Sequence, residues 1–201
     1  MPQVTRSGVT LEVVSRALAA ATPRALDIPG FRRAAVLLPL VEASGALSLL
    51  LTVRAATLRS HAGQVALPGG RLEPGEDSVD AALRETREEV GLEVTRDAVL
   101  GELSDHPSPA GYVARPVVAR VAWPQTLRPD PREVAEAFLV PLDELRAVTP
   151  RSEVRELRPE TRRRIFFYRW RDREIWGFTG NVIRNLFDVI DGRHDEDPFA
   201  A

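Results

Sequence analysis

The sequence predicts an α+β fold, a central mixed sheet packed between helices. Three observations carry that expectation. Short apolar, β-rich runs recur along the chain, and two of them, Ala34 to Val41 and Ala46 to Val53, are joined by a Ser-Gly turn as in a hairpin. Helical spacing of apolar residues shows in Thr10 to Ala20 and again in the stretch that ends at Val90. Apolar residues make up 44% of the 201 and charged residues 28%, a balance that lets one domain spanning 1–201 bury a core unaided.

In chain order, Leu11, Val14, Ala17 and Leu18 mark the first helix, and Pro23, Pro29 and Gly30 then break the chain. After the first hairpin, Arg54 to Pro68 reads as a polar loop with a short strand at Gln64 to Leu67. Asp77 or Ser78 can cap a helix that runs to Val90 and stops at Gly91. Val94 to Leu103, Val113 to Trp123 and Val134 to Val140 read as strands, with Pro124 to Arg132 as the best linker candidate. Pro141 to Ala147 suits a turn of helix. Ile165 to Trp170 and Glu174 to Trp176 flank "RDR" as a second hairpin. An amphipathic helix over Thr179 to Ile190, with Thr179 as its natural cap, closes the fold before a frayed tail at 191–201.

Several function classes drop out. With no cysteine there are no disulfides, thiolate metal sites or cysteine nucleophiles. Met1 to Ala21 scatters arginines and acids among its apolar residues, unlike a signal peptide, and no apolar run reaches membrane-spanning length. A cytoplasmic protein is the reading that follows. A net charge of -2 gives no global reason to expect nucleic acid or membrane as a partner. All 27 basic residues are arginine, so any phosphate must be gripped by guanidinium forks or histidine.

The helix ending at Val90 has two faces. Val79, Leu83, Thr86 and Val90 draw a packing stripe, while Glu85, Glu88 and Glu89 stand at i, i+3 and i+4 on another. Like charges at that spacing repel, and the one nearby guanidinium, Arg84, cannot neutralise three carboxylates. Hard divalent cations suit such a cluster. The tight Gly69-Gly70 turn brings backbone carbonyls and amides close to it.

Gly70, Glu76, Arg84-Glu85, Glu88-Glu89 and Gly91-Leu92, at their spacings over 70–92, resemble the complete Nudix box, with Thr86 where an aliphatic residue is usual. That resemblance implies an α/β/α sandwich, Mg²⁺ or Mn²⁺ as cofactor, and hydrolysis of a nucleoside diphosphate linked to another group. By position, Glu85, Glu88, Glu89 and the Gly70 carbonyl would hold metal, Arg84 would orient the acids, and Glu76 would support the loop with Gly69 and Gly91. Water attacking phosphorus needs a base. Glu85 is the first candidate and Glu133, outside the box, the second.

Upstream, Leu50-Leu51-Thr52, Arg54-Ala55, Arg59, Gly63 and Pro68-Gly69-Gly70 are similar to the extra signature of the coenzyme A diphosphatase branch over 50–70, with Leu67 where that branch carries phenylalanine. The branch implies CoA or acyl-CoA as substrate. Arg54, Arg59 and His61, with Gly63 in the same loop, would then meet the phosphates not taken by metal. The competing expectations are a Nudix diphosphatase acting on NADH, ADP-ribose or dinucleoside polyphosphates, and a Nudix-fold protein that binds a nucleotide without turnover.

Overall fold

The longest apolar run in the chain becomes the strand around which the rest is arranged. The computed structural model describes residues 8–58, 60–158 and 161–193. Eight strands form one sheet: β1 (Arg32–Ala43), β2 (Ala46–Arg54), β3 (Val65–Ala66), β4 (Gly69–Arg71), β5 (Val99–Glu102), β6 (His106–Ser108), β7 (Tyr112–Val121) and β8 (Val134–Pro141). A second sheet holds β9 (Arg151–Arg158), β10 (Thr161–Trp170) and β11 (Arg173–Trp176). The helices are α1 (Leu11–Ala20), α2 (Ser78–Val90), α3 (Leu142–Ala147) and α4 (Gly177–Ile190).

β1 is buried on both faces from Ala34 to Val41. Its period of two sorts the core. Ala35 and Leu37 pack with Val79, Ala81 and Ala82 of α2, while Val36, Leu38 and Leu40 join the cluster that holds Leu18, Leu142, Val182 and Leu186 from the other three helices. Burying each of these leucines contributes about 2 kcal/mol. β1 runs parallel to β7 from Arg32 to Val41 and antiparallel to its other neighbours, so the sheet is mixed and lies between helices, as expected.

The registers reveal a fork. β7 occupies one edge of β1; the other edge pairs with β2 only from Leu40 to Ala43, and with β4 at Ala34 to Val36. β8 likewise occupies one edge of β2, leaving the other to β1 near the turn and to β3 at Thr52 and Val53. The two hairpin strands therefore part, and the segment from Val65 to Arg71 fills the gap. Leu37 N–H donates to the Pro68 carbonyl at 2.9 Å, and the Thr52 hydroxyl to Ala66 at 3.2 Å. Gly69 crosses at φ 151, where a Cβ would stand 2.4 Å from the Ala35 oxygen, so only glycine passes.

α2 follows directly. The Asp77 carboxylate accepts from Asp80 N–H at 2.9 Å, and Gly91 ends the helix in the left-handed conformation. Thr86, on the packing stripe, is fully buried and satisfies its hydroxyl on the Ala82 carbonyl at 2.7 Å. Pro124 to Arg132 is not a linker. Arg128 N–H donates to Val90 O at 2.8 Å and Asp130 N–H to Glu89 O at 2.9 Å, so this stretch satisfies the last carbonyls of α2.

Other expectations are corrected. Only Val99–Glu102 of the Val94 to Leu103 run is strand, preceded by a 3-10 turn at Arg96–Ala98. β9 and the short β6 are additional strands. α4 begins at Gly177, and Thr179 does not cap it: its hydroxyl donates to the Val65 carbonyl at 3.2 Å. Asn181 accepts from Phe166 N–H and donates to Arg164 O, so this start of α4 is a seam to β3 and β10, with its polar side chains committed. Asp191 to Arg193, expected to fray, is tied back by the Arg193 guanidinium on Asp188 at 2.6 Å; 194–201 lie outside the described residues.

Gly69→Ala should destabilise the chain by about 1–3 kcal/mol through overpacking against β1. Chemical denaturation of the two proteins measures it, and equal midpoints and slopes would refute the account of the fork.

Candidate functional site

Filling the fork sets the Gly69-Gly70 backbone against the acidic face of α2. Glu89 is buried, 6% exposed, and its Oε2 accepts from Gly69 N–H at 3.2 Å. The Glu85 carboxylate occupies the space beside Gly70, where a Cβ would lie 2.3 Å from its Cδ. Glu88, whose side chain is 55% exposed, stands at the rim.

Arg84 organises the rest. Its Nε and Nη2 donate to Glu76 at 2.8 and 3.1 Å, its Nη1 to Glu85 at 3.0 Å and to Glu88 at 3.2 Å, and its Nη2 also to the Arg71 carbonyl at 3.0 Å. Glu76 in turn accepts from Glu73 N–H at 2.9 Å, which ties the turn before α2 to the helix. The bond from Arg84 holds the Glu76 carboxyl below its ordinary value. Glu85 is held above the ordinary range, chiefly because it is desolvated; Arg84 opposes that, while Glu88 and Glu133 add to it. Burial pushes Glu89 up to about 7; Gly69 N–H and Arg54 pull against the shift, and Glu133 and Glu85 reinforce it. Carboxylates at the fork outnumber the cations available to them.

Glu133 therefore joins the site electrostatically, brought there by its carbonyl, which accepts from Ala55 N–H at 2.8 Å. Arg54, at the end of β2, closes the neck of the next loop: its N–H donates to Gln64 O, and its carbonyl accepts from Gly63 N–H, both at 3.0 Å. Its guanidinium Nε is buried with no hydrogen-bond partner. His61 sits exposed at the loop tip, its Nδ1 2.8 Å from Gln64 Oε1. Arg59 lies outside the described residues. Leu50, Leu51 and Thr52 are buried, and Leu67 sits in the core cluster, so those parts of the upstream pattern build the fork and do not line the site.

The donor set suits a hard cation, being carboxylates and a turn carbonyl at a place with surplus negative charge. Among the described residues, no three histidine or acidic side chains are already gathered as a metal cage. Arg84 holds Glu85 and Glu88 while Glu89 is bonded to Gly69.

Sequence reasoning missed one part of the site. Arg32 and Arg33 from the start of β1 and Arg71 from the end of β4 line a cleft whose wall includes Arg84 and Glu85. The only signal was an arginine pair before an apolar strand; that Arg71 joins it follows from the pairing of β4 with β1.

The NUDIX domain family model matches residues 30–170. The "Uncharacterized Nudix hydrolase NudL" of Photorhabdus laumondii is 42% identical over 160 residues, covering 79% of this chain and 85% of that protein. The protein of the same description from Pectobacterium atrosepticum is 39% identical over 163 residues, covering 81% and 84%. A solved MutT/nudix family protein from Enterococcus faecalis superposes with a TM-score of 0.53 over 92% of this chain and 71% of that one, at 17% identity, a likeness of fold.

A carboxyl held above its usual 4.5 binds its proton more tightly in the folded chain. In metal-free protein the contribution of Glu89 to stability should therefore be greatest below about 4.5 and fall as pH rises to about 7. Glu89→Gln should gain stability relative to the parent across that window. Denaturation at a series of pH values measures it, and a pH-independent difference would contradict the burial argument.

Proposed function

The chain belongs to the NUDIX domain family, and on that premise we propose that it hydrolyses the diphosphate of coenzyme A or its derivatives. The products would be adenosine 3′,5′-bisphosphate and 4′-phosphopantetheine or its acyl form. The observation that carries the reaction type is the surplus of carboxylates (Glu85, Glu89 and Glu133) gathered at a glycine turn beside the guanidinium of Arg54. The upstream pattern from Leu50 to Gly70 supports the CoA assignment.

Glu85, Glu88 and Glu89, with the Gly70 carbonyl, would hold one or more divalent ions. When bound, Mg²⁺ or Mn²⁺ supplies Lewis acidity toward water and the diphosphate oxygens. The chain supplies the rest. A carboxylate of Glu85 or Glu133 takes a proton from the attacking water. The water oxygen bonds to one phosphorus, the bond from that phosphorus to the bridging oxygen breaks, and the departing phosphate keeps the electron pair. Glu85 is the first candidate because desolvation raises its proton affinity while Arg84 fixes its position. Arg54, whose Nε lacks a protein partner, would donate to the diphosphate. By the upstream resemblance, Arg59 and His61 would meet phosphate not taken by metal. Bidentate arginine contact with the 3′-phosphate would separate CoA from other adenosine diphosphate conjugates.

With Mg²⁺ or Mn²⁺, CoA should be hydrolysed with a higher kcat/KM than dephospho-CoA, NADH or ADP-ribose. Equal values across the panel would remove the CoA assignment and leave a Nudix diphosphatase of another preference. Binding without turnover would instead favour a nucleotide sensor. Glu89→Gln and Glu88→Gln should each lower kcat by roughly 10²-fold or more. Comparing Glu85→Gln with Glu133→Gln identifies the base, because loss of the base removes the acidic limb of the pH-rate profile.

A further inference from the structure

We propose that Arg32 and Arg71 form a separate anion subsite that takes a phosphate monoester of the substrate, the 3′-phosphate when the substrate is CoA. This rests on the reading of the neighbouring carboxylates as the place where the diphosphate is cleaved.

Charge bookkeeping within the cleft singles out these two residues. Arg33 is ion-paired with the buried carboxylate of Asp105 at 2.8 Å, which it shares with Arg115. Arg84 is neutralised by Glu76 and Glu85. Among the described residues neither Arg32 nor Arg71 has a carboxylate within ion-pair distance. Arg71 stands opposite Ala34 in the register, and Ala34 is two residues from Arg32 on the same strand. Side chains two apart on a strand, and those directly opposite across strands, share a face, so both arginines leave the sheet on the side away from α2, and at the strand ends both line the cleft that also includes Glu85. Arg32 and Arg71 are diagonal neighbours across the two strands, within reach of long side chains, and an anion between them would relieve their mutual repulsion.

The setting favours phosphate. Tyr112 lies opposite Arg32, whose guanidinium carbon is 4.6 Å from the ring centroid. Stacking engages the flat face of a guanidinium and leaves its in-plane N–H donors to point at an anion. Two guanidinium charges match a monoester dianion, which offers three acceptor oxygens. Position fits as well. The cleft contains Glu85, whereas Arg54 acts on Glu89, one turn along α2, about 6 Å away. A substrate with its diphosphate at the carboxylates can thus meet Arg54 near one end and the Arg32–Arg71 pair near the other.

The test separates ligand recognition from turnover. Titration calorimetry with the full chain compares adenosine 3′,5′-bisphosphate with AMP, for the parent, Arg71→Ala and Arg32→Ala. Arg71 uses its backbone carbonyl to hold Arg84, a bond that loss of its side chain leaves intact. Both side chains are exposed, and thermal unfolding checks that each variant is folded. The parent should prefer the bisphosphate, and each substitution should cut that preference about tenfold, the loss expected when a charge-assisted bond is removed. A parent without preference, or variants that keep it within about twofold, the scatter expected of a neutral surface change, would overturn the subsite. Turnover of CoA by the parent judges the parent reading independently. If CoA is not cleaved but the preference depends on Arg71, the subsite stands and the substrate assignment falls; if CoA is cleaved and the preference ignores Arg71, the reverse holds.

Discussion

The constraint on which the site depends is the splaying of the β1–β2 hairpin. A hairpin zipped along its full length would leave no place for Val65 to Arg71, and the Gly69-Gly70 turn would lie outside the sheet. Parting the strands exposes backbone groups that need partners, and the inserted segment supplies them: Pro68 to Leu37, Ala66 to Thr52, and the short pairings of β3 and β4. The turn is thereby held by sheet hydrogen bonds on both sides. A loop held only at its ends would not set a backbone amide against a buried carboxylate.

Within that frame electrostatics runs counter to stability. Three carboxylates on one helix face, with Glu133 approaching from another segment, oppose one another in a partly dry place. Arg84 relieves the outer part, spending its donors on Glu76, Glu85, Glu88 and a carbonyl, and does not reach Glu89. The helix tolerates the arrangement because its other face is apolar and its ends are closed by Asp77 and by the stretch around Arg128 and Asp130.

What could be read in the sequence was what local chemistry decides. α2 was legible from cap to cap, since its stripe, its N-cap and Gly91 are all within one turn of what they act on. β1 and β2 were legible as apolar runs with a Ser-Gly turn. β9 was not, because Arg151 to Arg158 is rich in arginine and glutamate and Val154 stays 46% exposed, so there was no alternation to find. Thr179 misled for a related reason: its preference for capping is local, and a bond to Val65 on a distant strand overrides it. Arg32 and Arg71 became neighbours only through strand register, which composition does not encode. Glu133 could be named as a candidate, but its approach depends on a backbone bond to Ala55.

The loop between Arg54 and Gln64 leaves and re-enters the sheet at one point, its neck closed by the pair of bonds between Arg54 and the Gly63-Gln64 backbone. A closed neck insulates. Residues inside the loop can change in kind or number while the strands on either side keep their pairing, and the carboxylates keep their places. On the proposed reading, recognition by this loop could then change without moving the carboxylates. In evolutionary terms such a neck would let the loop vary separately from the frame that carries it.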